Sequence, residues 1–281
     1  MRDLVMLGIQ ASILGTVFCY GLQATLDDAL HLVRHRSLLL RSLISMFVVM
    51  PAAALVILGV FDLPKATAIV LVALAISPIP PMLPKKERKA GGLADYGLGL
   101  MLTVGLLAIV IVPLAGELLA RYFGRPFHVA GGAIAKPVLM MIAAPLVLGM
   151  LARAWKPEIA ARLVKPLLIA STVLLVVCAL AIIVGMSHTL APLIHDGTLW
   201  AMLLFALIGL VSGHWLGGPI GEQRTVLALS TASRHPAIAL AIAKSNFPDE
   251  HFLAATVVLY LLVVTVTVVP YVQWRKRATR D

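Results

Sequence analysis

The residues best suited to chemistry lie inside one long apolar stretch, residues 225–248, where Arg234, His235 and Pro236 follow one another. An Arg at the centre of a membrane helix costs about 2.5–3.5 kcal/mol on insertion scales, so it normally faces protein or water. Pro236 removes one helix hydrogen bond and crowds the preceding turn, so we expect the helix to break there. A broken helix that carries a cation at membrane depth is typical of a site for a solute that crosses the membrane.

Each of these three residues admits a binding role and a structural one. The Arg234 guanidinium could clamp a carboxylate or another oxyanion through two hydrogen bonds, or it could satisfy carbonyls that the break exposes or extend to an interface. His235 could carry a proton, because its unperturbed pKa of about 6.5 lies near physiological pH, or it could stay neutral against a backbone carbonyl. Pro236 gives the following half-helix an N-terminus, whose partial positive charge would favour an anion.

Hydroxyl side chains stand just before this break. They could coordinate a ligand, or they could bond only to the carbonyl one turn back, as is common in membrane helices. These residues, which we expect to share the substrate site with the three above, are Ser230, Thr231 and Ser233. The candidate residues for a coupling ion, sodium or a proton, are Ser230, Ser233 and His235.

A second interruption is expected in residues 77–84, SPIPPMLP, because four prolines cannot occupy one regular helix. An unwound segment is tolerated at membrane depth only where protein or water covers it. The segment either lines the binding site or merely ends the helix, and its candidate substrate-binding residues are Pro78, Pro80 and Pro81. The charged run that follows, residues 85–89, is expected to be a solvated loop or a cationic funnel that draws anions toward the site.

Composition places the chain among membrane proteins. Of its 281 residues 60% are apolar and 13% are charged, and the mean hydropathy of +0.99 excludes an ordinary soluble domain. The apolar residues form blocks of about 20, the length that an α-helix needs to cross hydrocarbon. We predict an all-α polytopic membrane protein with nine spans, at residues 5–24, 39–60, 65–83, 97–119, 136–153, 166–186, 197–216, 223–245 and 251–273.

The net charge of +10 is distributed as in a membrane protein and does not indicate nucleic-acid binding. When the loops are assigned alternately to two sides, the side called the basic side here holds sixteen cations: Arg34, Arg36, Arg41, Lys85, Lys86, Arg88, Lys89, Arg153, Lys156, Arg162, Lys165, Arg224, Arg275, Lys276, Arg277 and Arg280. The other side holds six: Arg2, Lys65, Arg121, Arg125, Lys136 and Lys244. The positive-inside rule therefore predicts an inner-membrane protein whose C-terminus is cytoplasmic and whose N-terminus is outside.

Few residues in the sequence support a metal site, a disulfide or an enzyme active site. Cys19 and Cys178 both lie in predicted spans and are expected to be small core residues, and neither H-E-x-x-H nor paired C-x-x-C motifs occur. An intramembrane enzyme would have to pair Ser212 with His214, or Ser233 with His235, but residues two apart on a helix point in different directions. We therefore expect no enzyme and no cofactor other than a coupling ion.

The predicted spans fall into two groups. Helices 1–4 occupy residues 1–120, and helix 5 with helices 6–9 occupies residues 136–281, all within one transmembrane domain. The third helix of each group is interrupted, at 77–84 and at 230–236, and the two interrupted helices run in opposite directions. Interrupted helices at corresponding positions of inverted repeats point to the binding site of a transporter.

Three stretches resemble the bile acid:sodium symporter family, within the bile, arsenite and riboflavin transporter superfamily. In residues 17–51 a glycine-leucine pair precedes a T-L-D-D helix end and a basic loop, residues 136–175 contain P-L-V-L-G-M-L-A-R, and SNFPDEH (245–251) matches an asparagine-phenylalanine-proline turn. The chain resembles a divergent, bacterial-type member with nine helices. The resemblance implies a panel domain, a core domain, two broken helices that cross at the midplane, and sodium-driven uptake of organic anions.

The chain departs from that family where the resemblance implies sodium ligands. Members usually carry an acidic residue, then glutamine and asparagine, in the second crossing helix, and these positions fall near Leu229, Ser233 and Arg234. The P-G-G-T-x-S-N run of the first crossing helix is also missing after Pro78. Hard cations require oxygen ligands, and a guanidinium among them opposes binding. The resemblance therefore favours sodium coupling, whereas the residues do not.

The sequence as a whole predicts a secondary active transporter that moves a small organic anion by alternating access. Its expected partners are that anion and membrane lipid, with no nucleic acid. A proton-coupled or uncoupled exporter or a channel is the alternative, and an intramembrane enzyme is the weaker one. A nucleotide-binding G-x-x-x-x-G-K-[ST] loop is missing, so the sequence gives no support for ATP as the driving force.

Overall fold

A computed structural model describes residues 2–123 and 131–278, and all regular secondary structure in these two ranges is helical. The helices are α1 (Arg2–Gly21), α2 (Leu26–Arg34), α3 (Arg36–Ile44), α4 (Met50–Val60), α5 (Lys65–Ile76), α6 (Leu83–Lys89), α7 (Ala94–Phe123), α8 (Gly131–Val138), α9 (Ala144–Trp155), α10 (Pro157–Gly185), α11 (Ser187–His195), α12 (Thr198–Leu216), α13 (Gly221–Ala232), α14 (Pro236–Asn246) and α15 (Leu253–Ala278). Arg125 and Arg280, both included in the charge assignment, lie outside the described residues.

Helix lengths confirm the predicted all-α polytopic fold. Eight helical segments in the described ranges are long and apolar enough to cross a membrane, counting α3 with α4, α8 with α9 and α13 with α14 as single segments. The third predicted span, 65–83, is wrong in its second part, because α5 ends at Ile76 where the prolines begin. Many large apolar side chains are exposed, as contact with lipid requires.

Two of the long segments contain one turn of π-helix. Residues 45–49 join α3 to α4, and residues 139–143 join α8 to α9. A proline follows each of these turns, Pro51 and Pro145, and a proline has no N–H to offer to the preceding turn. Carbonyl groups in the wide turn are therefore left available to other partners.

Three helices form a layer that we call the panel: α1, α9 and α10, which pack on one another. Helices α3–α7 and α12–α15 enclose the main apolar cluster and are called the core. Panel helices α1 and α9 approach closely at Gly21 and Gly149, where a Cβ atom on either glycine would overlap the backbone of the other helix. Close backbone approach through small residues is the usual way for membrane helices to pack tightly.

The core contains two interrupted helices that cross. The first consists of α5 and α6, separated by an unwound segment at residues 77–82, and the second consists of α13 and α14, separated at residues 233–235. Helix α5 packs on α14 and α6 packs on α13, so each half of one interrupted helix contacts a half of the other. The two breaks meet, because the His235 N–H donates to the Pro78 carbonyl at 2.8 Å.

Helix α12 supports the second interrupted helix with a row of glycines. A Cβ atom on Gly209 would lie 2.7 Å from the Ala232 Cα, and one on Gly213 would lie 2.6 Å from the Ala228 Cα. Both distances are shorter than real Cβ contacts, so only glycine allows α12 and α13 to approach this closely. This packing fixes the position of α13 up to the residue before the break.

Candidate functional site

The break between α13 and α14 is held open by a tyrosine from α15. Ser233 and His235 have extended backbone conformations, so the helix stops at Ala232 and restarts at Pro236. The Tyr260 hydroxyl donates to the Ala232 carbonyl at 2.7 Å and accepts from the Arg234 N–H at 2.7 Å. One phenol therefore satisfies two of the backbone groups that the break exposes, which is required where water does not reach them.

Arg234 is fully buried and its guanidinium binds backbone carbonyls. Nε donates to the Leu74 carbonyl at 3.0 Å, and Nη2 donates to the Ala75 carbonyl at 2.7 Å and to the Met46 carbonyl at 3.1 Å. Leu74 and Ala75 belong to the last turn of α5, where carbonyls lack the usual partner four residues further on. The Leu74 carbonyl also accepts from the N–H and the hydroxyl of Ser77, which ends the helix. Met46 lies in the π-turn that Pro51 follows. The side chain thus ties α13–α14 to both α5 and the α3–α4 segment.

This arrangement matches the structural role that the sequence left open for Arg234. The guanidinium also lies over the Phe47 ring at 5.7 Å, and Nη1 has no hydrogen-bond partner in the described part of the chain. The direct substrate contact predicted for Arg234 stays a prediction, and the three carbonyl bonds favour a positioning role in the conformation described here.

His235 caps α14. Its Nδ1 accepts from the Ile238 N–H at 3.4 Å, so that nitrogen carries no proton in this arrangement. The N-terminus of α14, where an anion was expected, is therefore occupied by the cap of the chain itself. Pro236 takes the first helical position, which suits a residue without an N–H. These contacts match the neutral, structural alternative for His235.

The hydroxyls before the break bond across the core. Thr231 Oγ1 lies 2.8 Å from Ser45 Oγ of the π-turn, and Ser230 Oγ donates to Glu87 Oε1 at 2.5 Å. Ser233 is buried in the break itself. In this arrangement Ser230 serves as a hydrogen-bond donor to the Glu87 carboxyl group and not as an ion ligand.

The charged run after the first break is not the solvated loop that was one of the two predictions made for it. Residues 83–89 form helix α6, and the alternative of a cationic funnel stays a prediction. Glu87 is 1% exposed and points into the core, while Arg88 and Lys89 are exposed. Buried and exposed side chains occur together in this run because one face of the short helix packs on α7 and α13 and the other face does not. The unwound segment itself, with Pro78 and Pro81 buried and Pro80 half-buried, is confirmed.

Gly91 and Gly92 end α6 and fix its position. Gly91 has φ of 79°, a left-handed conformation that favours glycine, and the Gly92 N–H donates to the Glu87 carbonyl at 2.9 Å. A Cβ atom on Gly92 would lie 2.8 Å from Val226 Cγ2 of α13. The glycine pair is thus a helix cap and a close-packing point.

A cavity of about 420 Å³ lies between the panel and the core on the basic side. Its lining consists of Gln23, Lys85, Arg88, Val164, Lys165, Leu168, Ile169, Thr172 and Val173. A second cavity of about 420 Å³ shares Gln23 and Val164 with it and adds Arg153. Three of the first cavity's lining residues are cationic and none is acidic. Arg234 lines neither cavity.

Polar contacts join panel and core across this cavity. Lys85 Nζ donates to Thr172 Oγ1 at 2.5 Å, and Arg88 Nη1 donates to Gln23 Oε1 at 3.0 Å. Burial, together with the charges of Lys89 and Arg88, lowers the pKa of Lys85 from its usual value. Both cations bond to neutral oxygens, so their positive charge is not cancelled by a carboxylate among the described residues.

A comparison with known families gives a match. The sodium bile acid symporter family model matches residues 13–192, nearly two thirds of the chain. The chain belongs to the sodium bile acid symporter family. A comparison with curated protein sequences gives no match.

The family match includes the first interrupted helix, α5 with α6, and ends before α12. Members of this family are transporters, and the apolar helices agree with a multi-pass membrane protein of that kind. The carboxylate that the resemblance implies near Leu229 and Ser233 is missing there. A buried carboxyl group comes instead from the first interrupted helix, because Glu87 of α6 accepts a hydrogen bond from Ser230 of α13.

The hydroxyl-histidine pairs considered for an intramembrane enzyme are not formed. His214 Nδ1 lies 2.8 Å from the Tyr271 hydroxyl, and Ser212 Oγ donates to the Gly209 carbonyl at 3.4 Å. The Nδ1 atom of His235 caps α14, so it does not serve as a base for Ser233. A nucleophile requires a base within hydrogen-bond reach, so neither pair favours catalysis.

Several groups that build the site could not be singled out from the sequence. Tyr260 lies 26 positions after Arg234 in an apolar helix, and nothing in its neighbourhood sets it apart. Thr172 and Gln23 carry no charge and belong to no motif. Glu87 was visible as a single acidic residue within KKERK, but only the packing of α6 reveals that it is buried.

Proposed function

We propose that this protein is a secondary active transporter that moves a small organic anion by alternating access between its panel and its core. The observation that carries the proposal is the cavity between these two layers, which is lined by Lys85, Arg88 and Lys165 and by no acidic residue. The family membership supports transport, and the lining supports an anionic cargo.

The cations of the cavity are suited to hold a carboxylate. Two unit charges about 4 Å apart attract by roughly 4 kcal/mol at an effective dielectric constant of 20, before desolvation is subtracted. Arg88 can offer two parallel donors to a carboxylate, and Lys85 offers a point charge. Both would have to exchange their present neutral partners, Gln23 and Thr172, for the anion. Little is lost in that exchange, because the new bonds are charge-assisted on both sides.

The remaining lining indicates a cargo with an apolar body. Leu168, Ile169 and Val173 form one wall of the cavity on α10. The cavity volume of about 420 Å³ lies in the range of about 300–1,000 Å³ that is usual for small-molecule sites. An organic carboxylate fits this combination of a cationic end and an apolar wall better than an inorganic ion does.

Alternating access would move the panel against the core. Lys85 and Arg88 belong to α6 of the core, whereas Thr172 belongs to α10 of the panel and Gln23 follows α1 of the panel, to which it donates a hydrogen bond at the Cys19 carbonyl. Rocking of the panel would therefore break these side-chain contacts, as well as those of the Tyr20 hydroxyl of α1 with the Lys85 N–H and the Met82 carbonyl. An anion bound between the layers would replace the contacts of Lys85 and Arg88. In this proposal Arg234 keeps the two broken helices together while the panel moves, and Ser230, Thr231, Ser233, His235, Pro236 and the 77–82 segment form the midplane where the cargo passes.

A binding experiment tests the anion site directly. Purified protein in detergent is titrated with acetate, benzoate and cholate, and sodium and pH are varied independently. We expect saturable binding of at least one of the larger carboxylates and weaker binding of acetate, which has little apolar surface. Arg88→Gln is expected to weaken that binding, whereas Arg277→Gln, an exposed cation outside both cavities, is not. Equal binding by both variants and the wild type would contradict an anion site in this cavity.

A further inference from the structure

Glu87 is a carboxyl group that the anion site does not use. It is 1% exposed, and it forms no salt bridge in the described ranges. Oε1 accepts from Ser230 at 2.5 Å, and Oε2 is buried without a hydrogen-bond partner in the described part of the chain. An ionised carboxylate is very costly to bury without a counter-charge, whereas the neutral acid costs far less.

The groups that face Glu87 offer no compensating charge. Tyr96 of α7 and Tyr20 of α1 are neutral phenols near it, and Ser230 is the contact from α13. The charged residues of α13, Glu222 and Arg224, lie in its first turn, about two turns before Ser230. Other cations lie on the same short helix as Glu87, beyond salt-bridge distance of its carboxylate: Lys85, Lys86, Arg88 and Lys89.

Space around the carboxylate is also restricted. A Cβ atom on Gly97 of α7 would lie 2.5 Å from Oε2, so this oxygen rests directly against the glycine backbone. A metal ion with several oxygen ligands has no room on that side, whereas a proton needs none. Burial raises the pKa of the Glu87 carboxyl to about 8, and the Ser230 hydrogen bond opposes part of that rise.

We propose that Glu87 is the proton-binding site through which this carrier couples anion transport to a proton gradient, an inference that rests on the proposed function. The proton is carried on the carboxyl while α6 is packed on α7 and α13. When the movement of panel against core also shifts α6 away from α7 and α13, so that water reaches the Glu87 carboxyl, its O–H bond breaks and the proton passes to water. The carboxylate then remains solvated until it is protonated again.

The position of Glu87 explains how a proton could affect the anion. Lys85 and Arg88 lie two residues before and one residue after it on α6, and both line the anion cavity. Protonation of Glu87 removes one negative charge from this short helix and so strengthens the attraction of α6 for an anion. By linkage, a bound anion favours the protonated carboxyl to the same extent. The two ligands would therefore bind and leave together, as symport requires.

A direct titration tests whether Glu87 binds a proton. Infrared difference spectra of the purified protein are recorded from pH 5 to pH 9, following the carbonyl stretch of protonated carboxyl groups. We expect a band that disappears near pH 8 in the wild type, persists in Glu222→Gln, and is missing in Glu87→Gln. Glu222 is an exposed carboxyl on α13 and undergoes the same chemical change. A band that is identical in Glu87→Gln and wild type would overturn the proposal.

A second variant keeps the test decisive if Glu87→Gln does not fold. Ser230→Ala removes the hydrogen bond that stabilises the carboxylate, so the same band should disappear at higher pH than in the wild type. Thermal stability gives an independent reading. Because the folded pKa lies above the ordinary value of 4.5, stabilisation by the neutral acid is complete below about pH 4.5 and is lost as pH rises toward 8. The melting temperature should fall over that window in the wild type more than in Glu87→Gln.

The last test measures transport of benzoate and cholate into proteoliposomes in the absence of sodium. An inward gradient of one pH unit can accumulate an anion up to about tenfold when one proton enters with it, because both correspond to the same free energy. We expect Glu87→Gln to lose the accumulation that exceeds that of protein-free liposomes, which neutral benzoic acid enters by diffusion. It should keep protein-dependent exchange of labelled for unlabelled anion, since Gln resembles the protonated acid. Accumulation at the wild-type level in Glu87→Gln would overturn the coupling role. A wild type that exchanges no probe would instead overturn the proposed function, and the infrared titration would still decide whether Glu87 binds a proton.

Discussion

Replacing Arg234 should loosen the crossing of the two broken helices. Arg234→Met keeps most of the side-chain volume but removes the donors to the carbonyls of Leu74, Ala75 and Met46. Side-chain hydrogen bonds within membrane proteins are worth about 0.6 kcal/mol on average and up to about 1.7 kcal/mol. Three such bonds give a loss of roughly 2–5 kcal/mol, partly offset because a buried charge is removed at the same time.

The assay for this prediction is unfolding in detergent micelles by increasing denaturant, followed by circular dichroism. Arg234→Lys keeps the charge but has one short head group, which cannot span three carbonyls on two segments, so it should recover only part of the loss. Arg88→Gln is the control, because Arg88 is exposed and its single bond to Gln23 contributes little to stability. Unchanged unfolding of Arg234→Met combined with lost anion binding would refute the positioning role and restore Arg234 as a direct ligand.

Three further perturbations follow from the packing of the site. Tyr260→Phe removes the hydroxyl that bridges the α13–α14 break, and we expect a loss of about 1–3 kcal/mol in the same unfolding assay. Gly213→Val places a side chain against the backbone of α13 and should cost about 1–3 kcal/mol or more, measured likewise. Arg88→Gln should weaken carboxylate binding by up to about fivefold and reduce its dependence on salt, measured by titration at two ionic strengths.

Controls for the Gly213 and Arg88 variants come from elsewhere in the chain. Gly59→Val adds the same side chain where a Cβ atom meets nothing within 4 Å, so its unfolding should match the wild type. Arg277→Gln removes an exposed cation that lines neither cavity, so its binding curve should be unchanged. Equal loss of stability in Gly213→Val and Gly59→Val would contradict the close approach of α12 and α13, and a Tyr260→Phe protein as stable as the wild type would contradict the bridging hydroxyl.

Both interruptions could be predicted from the sequence because the prolines that cause them lie at the breaks themselves. Pro78, Pro80 and Pro81 end α5 through a missing donor and a steric clash, and Pro236 does the same for α13. Neither effect depends on what surrounds the helix. The apolar blocks were visible for the same reason, since membrane thickness sets the length of a span without reference to its neighbours.

The roles of the charged residues could not be predicted in the same way. Whether Arg234 binds carbonyls or cargo depends on where α5 and the π-turn end, and these lie almost 160 and 190 residues earlier in the chain. Glu87 was hidden within KKERK, because the charge of its neighbours suggested a uniformly solvated segment. Its burial depends on a seven-residue helix packing on α7 and α13, which no local pattern specifies.

Counterflow measures the central claim most directly. Proteoliposomes are loaded with unlabelled benzoate or cholate and diluted into a trace of the labelled anion, so that uptake is driven only by exchange. A carrier that alternates between panel-open and panel-closed states should show transient accumulation of label, saturation with concentration, and no such accumulation in liposomes without protein. Uptake that is linear in concentration and indifferent to the anion inside would contradict alternating access.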